Sequence, residues 1–216
     1  MKSKMKTLLK ILLFVVISIS GNSYAKTKWS IEEKYQLSIP MIIGNLDSNI
    51  SIIEYRSLTC GACAEFASDG FIHLKKNYID TGIINFELRP LPLNPLDVSA
   101  FKVLYCADEE RLFNLDKVLY KSQKKWFVTD GAKTWEDAIN LSLPELLKQS
   151  SLFGVTETDY KTCNLDKDII NLLNISLRSA KKYKIDSTPS FLINGDVYSG
   201  NLSIDKIDEI LESYIN

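Results

Sequence analysis

The chain is poor in the residues that most metal and nucleophile chemistries require. Its 216 residues include one histidine, His73, and three methionines, Met1, Met5 and Met41. A structural zinc site takes four Cys, His or carboxylate ligands in a tetrahedron. Beyond one CxxC pair the chain offers only isolated Cys106, isolated Cys163 and His73, so no metal is expected. A Cys/His nucleophilic pair is not expected either, because His73 is the only base of its type. Three methionines are few for a carrier of cuprous ion, although the two thiolates of a CxxC pair would themselves suit that soft ion. Long apolar runs are missing too: the stretch ILLFVVISI, Ile11 to Ile19, is about half the roughly 20 residues a membrane-spanning helix needs. Neither Gly/Ser linkers nor internal repeats interrupt the chain.

What stands at the start is basic, then apolar, then small. Lys2, Lys4, Lys6 and Lys10 precede the apolar stretch, and SGNSYA follows it. That order predicts a secretory signal peptide over residues 1–25, cleaved after Ala25. The remainder carries 22 basic and 27 acidic side chains, a net charge of −5. Such a surface does not suit nucleic acid, and Lys124-Lys125 and Lys181-Lys182 read as solvated helix faces.

Export would carry the four cysteines, Cys60, Cys63, Cys106 and Cys163, into an oxidising compartment where disulfides persist. Four cysteines allow three connectivities, and a CxxC pair normally closes on itself, which leaves Cys106 with Cys163. That bond would close a loop of about 58 residues and stabilise by roughly 4 kcal/mol at most in the chain-entropy model. A relay role, exchanging with Cys60, would need exposure and proximity. The sequons at Asn49, Asn140, Asn174 and Asn201 would matter only in a eukaryotic secretory route.

Along the chain, a polar helical segment near Ser30 to Tyr35 precedes two strand-like stretches, SIPMIIGN and NISIIEYRS. β-Branched and aromatic residues dominate the second. From Gly61 the apolar spacing becomes helical, through Phe66, Phe71, Leu74 and Tyr78. IINFELRPL is then another strand. Strand, helix and strand within roughly 30 residues form a parallel crossover unit, so the sheet is α/β in character. Between Asn94 and Thr162 strand signals vanish and amphipathic helical stretches replace them. A long helix over residues 167–184 follows, then SFLI and VYS around Asn194-Gly195-Asp196, the preferred chemistry of a tight hairpin turn. A helix from Ile204 to Tyr214 closes the chain.

The stretch LTCGACAEF places Cys60 at the strand-to-helix junction. A thiol attacks disulfides only as thiolate, and free cysteine, with a pKa near about 8.5, is mostly protonated at neutral pH. At a helix start the unpaired N–H groups, here those of Ala62 and Cys63, favour the anion. Stabilising the thiolate stabilises the reduced protein against its disulfide and makes the pair an oxidant. Cys63, one turn inside, is expected to be buried, protonated and suited to close back on Cys60. Gly61 and Ala62 bring no imidazole or hydroxyl to the site. His73 reads as a surface or packed residue.

The order of strand, CxxC at a helix start, strand, helical insertion, helix, STPSF and hairpin resembles the thioredoxin fold. The insertion resembles that of the periplasmic disulfide oxidases of the DsbA family. The resemblance covers roughly residues 38–216 and implies an α/β thioredoxin-like domain over 26–94 and 163–216, with a helical insertion over 95–162. Three motifs carry it: C-G-A-C at Cys60 to Cys63, Glu54 six residues before Cys60, and Thr188-Pro189. By that resemblance Glu54 is a buried acid that relays protons to Cys63; its apolar neighbours Ile52, Ile53 and Tyr55 also point to partial burial, with a solvent-facing strand carboxylate as the alternative. Pro189 corresponds to a cis-proline that faces the cysteines and leaves the backbone of Thr188 free for a client peptide. The implied activity is thiol-disulfide exchange, introducing disulfides into reduced exported proteins in a periplasm. No cofactor and no nucleic acid partner are implied, and the chain is expected to be a monomer reoxidised by a DsbB-like membrane oxidase. The family's best-known members have Pro-His where this chain has Gly-Ala, so isomerase or reductase work on the same fold stays open. A copper metallochaperone is the reading from another class.

Overall fold

A computed structural model of the chain describes residues 29–215; the expected signal peptide lies outside the described residues. A five-stranded sheet organises the molecule. Its strands are β1 (Met41–Gly44), β2 (Ser51–Arg56), β3 (Asn85–Pro90), β4 (Ser190–Ile193) and β5 (Asp196–Ser199), in the order β1-β3-β2-β4-β5. β2 and β3 pair in parallel, as a crossover unit demands, and the other neighbours are antiparallel. β1 and β2, consecutive in the chain, do not pair with each other: β3 lies between them.

β2 is central and buried on both faces, which explains its nearly unbroken run of large residues. Ile52 joins the main core with Phe66, Phe86, Leu88 and Phe191. Ile53 and Tyr55 point the other way, into a smaller cluster with Ile31, Ala180 and Leu192. The Asn194-Gly195 turn takes positive φ at both residues, 47° and 99°, the geometry of a two-residue hairpin matched to strand twist. The Asn194 side chain also ties this turn to β2, accepting from the Ser51 N–H at 2.8 Å.

The crossover helix is broken where the apolar spacing predicts continuity. α1 (Gly61–Ser68) ends at Asp69, and α2 (Gly70–Leu74) runs on into a π-helical turn, Lys75–Ile79. Phe66, just before the break, packs on Phe191 with ring centroids 4.6 Å apart. Its ring lies against the backbone of Gly70, where a Cβ would come within 2.5 Å of it. Periodicity alone does not reveal that approach.

Five helices follow β3: α3 (Pro95–Tyr105), α4 (Leu112–Lys121), α5 (Gln123–Trp126), α6 (Trp135–Ser151) and α7 (Glu157–Cys163). Side-chain caps begin three of them, at Asn94, Thr134 and Thr156. Trp126 is fully buried and donates its indole N–H to the Leu119 carbonyl at 2.8 Å. α3, α4 and α6 share one continuous core with the sheet, so the inserted helices form one wall of the molecule. Cys106, at the end of α3, is disulfide-bonded to Cys163, at the end of α7, with Cα atoms 5.8 Å apart. α8 (Lys167–Lys182) covers the opposite face of the sheet, and α9 (Ile204–Ile215) packs beside α2. The whole is an α/β thioredoxin fold with a helical insertion.

Candidate active site

β2 ends at Arg56 and delivers the chain to α1, whose N-cap residue is Cys60, with extended backbone at φ −84° and ψ 123°. Three buried side chains of the inserted helices hold this short connection. Asp97, buried near the start of α3, accepts from the N–H groups of Leu58 at 2.9 Å and Leu93 at 3.0 Å. Gln123 of α5, also buried, donates its amide to the carbonyls of Leu58 at 2.8 Å and Cys60 at 3.0 Å. Tyr120 of α4 donates to the Ser57 carbonyl at 2.8 Å. The insertion therefore fixes the backbone on which the CxxC sits.

Cys60 and Cys63 are free thiols in this structure, the first half-buried and the second with no exposure. The Cys60 sulfur accepts the Cys63 N–H at 3.3 Å, as a capping group does. Its pKa is lowered to about 5. The largest cause is the hydrogen bond from the Cys63 thiol; Thr188 and the N–H groups of Cys63 and Ala62 add to it, against an opposing effect of burial. Cys63 is pushed strongly upward, first by burial, then by the same bond to Cys60 and by the charge of Glu54. The two thiols, one turn apart, thus differ sharply: the outer one ionises and the inner one stays protonated.

The bond between Thr188 and Pro189 is cis. The Thr188 carbonyl lies 3.3 Å from the Cys60 sulfur, and Pro189 is buried just ahead of β4. The Thr188 hydroxyl is buried without a hydrogen-bond partner, and Thr188 is among the groups that lower the Cys60 pKa.

Glu54 lies in the core, 0% exposed, not on a solvent face. Neither carboxylate oxygen has a hydrogen-bond partner. Burial raises its pKa to about 7, with Arg56 opposing and Asp116 and Cys60 reinforcing the rise. Arg56 Nη1 stands 3.6 Å from the Glu54 carboxylate and Nη2 3.2 Å from that of Asp116. The guanidinium is fixed by its Nε donating to the Tyr120 hydroxyl at 3.0 Å, with the Tyr120 ring centroid 4.2 Å away. His73, by contrast, pairs with Asp208 at 2.7 Å between α2 and α9, away from the cysteines.

Sequence reasoning identifies the cysteines, Glu54 and the Thr188-Pro189 loop, and the structure brings them together around one helix start. It misses Arg56, Asp116, Tyr120, Asp97 and Gln123. Asp97 had a local signal: Asn94-Pro95 opens a helix, and Asp97 occupies its third position, where capping acids sit. Arg56 had a weaker one, an arginine in a strand otherwise too apolar to leave it exposed. Among the described residues, no three His, Cys, Asp or Glu side chains converge into a metal-holding group.

A family model described as Thioredoxin matches residues 37–213. The chain is 34% identical over 178 residues to a Rickettsia bellii protein named, provisionally, as a protein-disulfide oxidoreductase, covering 81% of this chain and 64% of that one. It is 21% identical over 180 residues to disulfide bond formation protein D of Bacillus subtilis, covering 79% and 75%. The chain spans about three-fifths of the Rickettsia relatives' length, 64% and 61% in R. bellii and R. prowazekii. Among solved structures, α-DsbA1 of Wolbachia pipientis superimposes with a TM-score of 0.68 at 23% identity, over 82% of this chain and 92% of that one. Oxidised BdbD of B. subtilis does so at 0.65 and 18% identity, over 86% and 95%. With its CxxC at the head of α1, its cis-proline loop opposite and its inserted helices behind, the chain belongs to the thioredoxin family and has the fold of its DsbA-type members.

Proposed function

We propose that this chain is an exported thiol-disulfide oxidoreductase that transfers the Cys60–Cys63 disulfide to reduced exported proteins. The observation that carries the reading is the half-exposed Cys60 sulfur at a helix start, with its pKa lowered to about 5, beside a buried, protonated Cys63. In the oxidised protein a client thiolate attacks the accessible Cys60 sulfur. The Cys60–Cys63 bond breaks and Cys63 departs as a thiolate. Deep burial makes that anion costly, and Glu54, with a pKa of about 7, is the nearby acid suited to protonate it. The client is now held by a mixed disulfide to Cys60. A second client thiolate attacks the client's sulfur, the client leaves with its new disulfide, and Cys60 leaves as a stable thiolate. Two electrons have passed from the client to the protein.

Thr188 and Pro189 are the client-binding positions in this reading: the Thr188 carbonyl beside the sulfur suits an extended peptide laid across the site. Cys106 and Cys163, bonded at the far ends of the inserted helices, are structural. A DsbB-like membrane oxidase would restore the Cys60–Cys63 disulfide, in a periplasm reached through the signal peptide of residues 1–25.

The test is the reduction potential of Cys60/Cys63, measured by equilibration with glutathione. A value well above about −200 mV marks an oxidant, and one near that of thioredoxin, about −270 mV, moves the protein to reductase work. Cys60→Ser should abolish client oxidation, and Cys63→Ser should trap the client on Cys60; oxidation surviving in both variants would refute the assignment.

A further inference from the structure

A cavity of about 880 Å³ opens between the α1–α2 segment and α4, within the size range of small-molecule sites. Ile43, Ala64, Phe71, Leu88 and Phe113 give it apolar walls. Neither cysteine of the CxxC nor Thr188 or Pro189 lines it, whereas Arg56, Asp116 and Tyr120 do, so it adjoins the redox site on the side away from the sulfurs' opening.

Its charge is one-sided. Lys75, Lys76, Lys117 and Lys121 stand around it. Of these, Lys75 is held by Asp80, and the buried Asp116 at the floor is held by Arg56. The side chains of Lys76, Lys117 and Lys121 are exposed and have no ion pair or hydrogen bond among the described residues. Three uncompensated cations thus face an apolar cavity on a chain whose residues 26–216 carry 22 basic and 27 acidic side chains.

A peptide does not match these walls. Most of them are side chains of helices whose backbone groups are already paired, so an entering main chain would bury its own polar groups unpaired. The match is to an unbranched apolar chain with a single anionic end. We propose that this cavity binds a fatty carboxylate, with its acyl chain against Phe71, Leu88 and Phe113 and its carboxylate among Lys76, Lys117 and Lys121.

The inference stands apart from disulfide exchange, and its test reads no thiol chemistry, so either can fail without the other. Titration calorimetry of the full chain with laurate, decanoate and octanoate should show one site. Affinity should fall about fifteenfold for each pair of methylenes removed. Reversing two exposed lysines, Lys117→Glu with Lys121→Glu, should weaken laurate at least tenfold while leaving the uncharged alcohol of equal length unaffected. Filling the cavity with Ala67→Trp should abolish binding of both. No laurate binding, or an affinity indifferent to chain length, overturns the proposal. So does laurate binding unchanged by the lysine reversals, which would place the ligand elsewhere on the chain; these surface changes keep the test decisive even if Ala67→Trp does not fold.

Discussion

Two neighbouring strands carry the same pattern, an acid and an arginine two residues apart: Glu54 and Arg56 in β2, Glu87 and Arg89 in β3. The parallel register sets Ile53 opposite Glu87 and Glu54 opposite Leu88, so the two pairs point to opposite faces of the sheet. Both are buried. On the α8 face, Arg89 donates through Nε to Glu87 at 2.7 Å and again through Nη2, while Nη1 reaches the Tyr35 carbonyl at 2.9 Å and the Ser179 hydroxyl at 3.2 Å. Ser179 in turn meets the Tyr55 hydroxyl. On the cysteine face, Glu54 touches Arg56 only at ion-pair distance and both its oxygens are orphaned. A buried ion pair is tolerated when its remaining hydrogen-bond capacity is met. With that capacity met, the pair is a structural clamp. With it unmet, the acid has a pKa of about 7, beside a thiol that the proposed exchange requires to gain and lose a proton.

The contrast breaks most visibly if the clamp is opened. Arg89→Met should cost about 3–5 kcal/mol in denaturant unfolding, because it strands Glu87 in the core. Cys60 ionisation should not move. Unchanged stability, or a displaced Cys60 midpoint, would mean that the two faces are not separable in this way.

Glu54→Gln sharpens the other side. Folding raises the Glu54 pKa from 4.5 to about 7, so the folded chain binds the proton more tightly. This group's contribution is complete below pH 4.5 and is lost as pH rises through about 7, a fall of about 3 kcal/mol. Urea unfolding of the oxidised protein across that window, with the cysteines unable to titrate and the Cys60 charge gone, should show a slope of this sign, driven by burial, in the native chain and not in the variant. The same substitution should slow formation and collapse of the mixed disulfide about a hundredfold, the lower end for loss of a general acid. A variant that keeps both slope and rate would leave Glu54 without a role. A smaller effect belongs to Gln123→Leu. Losing its bonds to the Leu58 and Cys60 carbonyls should cost about 1–2 kcal/mol and raise the Cys60 midpoint slightly, whereas an unmoved midpoint would mean that the insertion does not help to hold the helix start.

What was readable in advance followed from short-range rules. Cys60 and Cys63 announce themselves by spacing, the helix start by the end of β2, and the hairpin by Asn194-Gly195. Glu54 divided two readings because a strand carboxylate is buried or exposed according to what covers the sheet, and α4, some 60 positions later, covers it. Asp116, Tyr120 and Gln123 escaped notice for the same reason: each lies in an amphipathic helix whose docking partner the local pattern does not name. The need for glycine at position 70 depended on the Phe66 ring folding back onto the backbone.

An ionised sulfur at Cys60 is the basis of the proposed exchange, and ultraviolet thiolate absorbance of the reduced protein against pH measures it directly. Folding lowers this pKa from 9.0 to about 5, so reduced-state stability gained from the thiolate is present in full above pH 9 and is lost as pH falls through about 5. The absorbance should titrate with a midpoint near 5 and disappear in Cys60→Ser. A midpoint near that of free cysteine, about 8.5, would contradict the account.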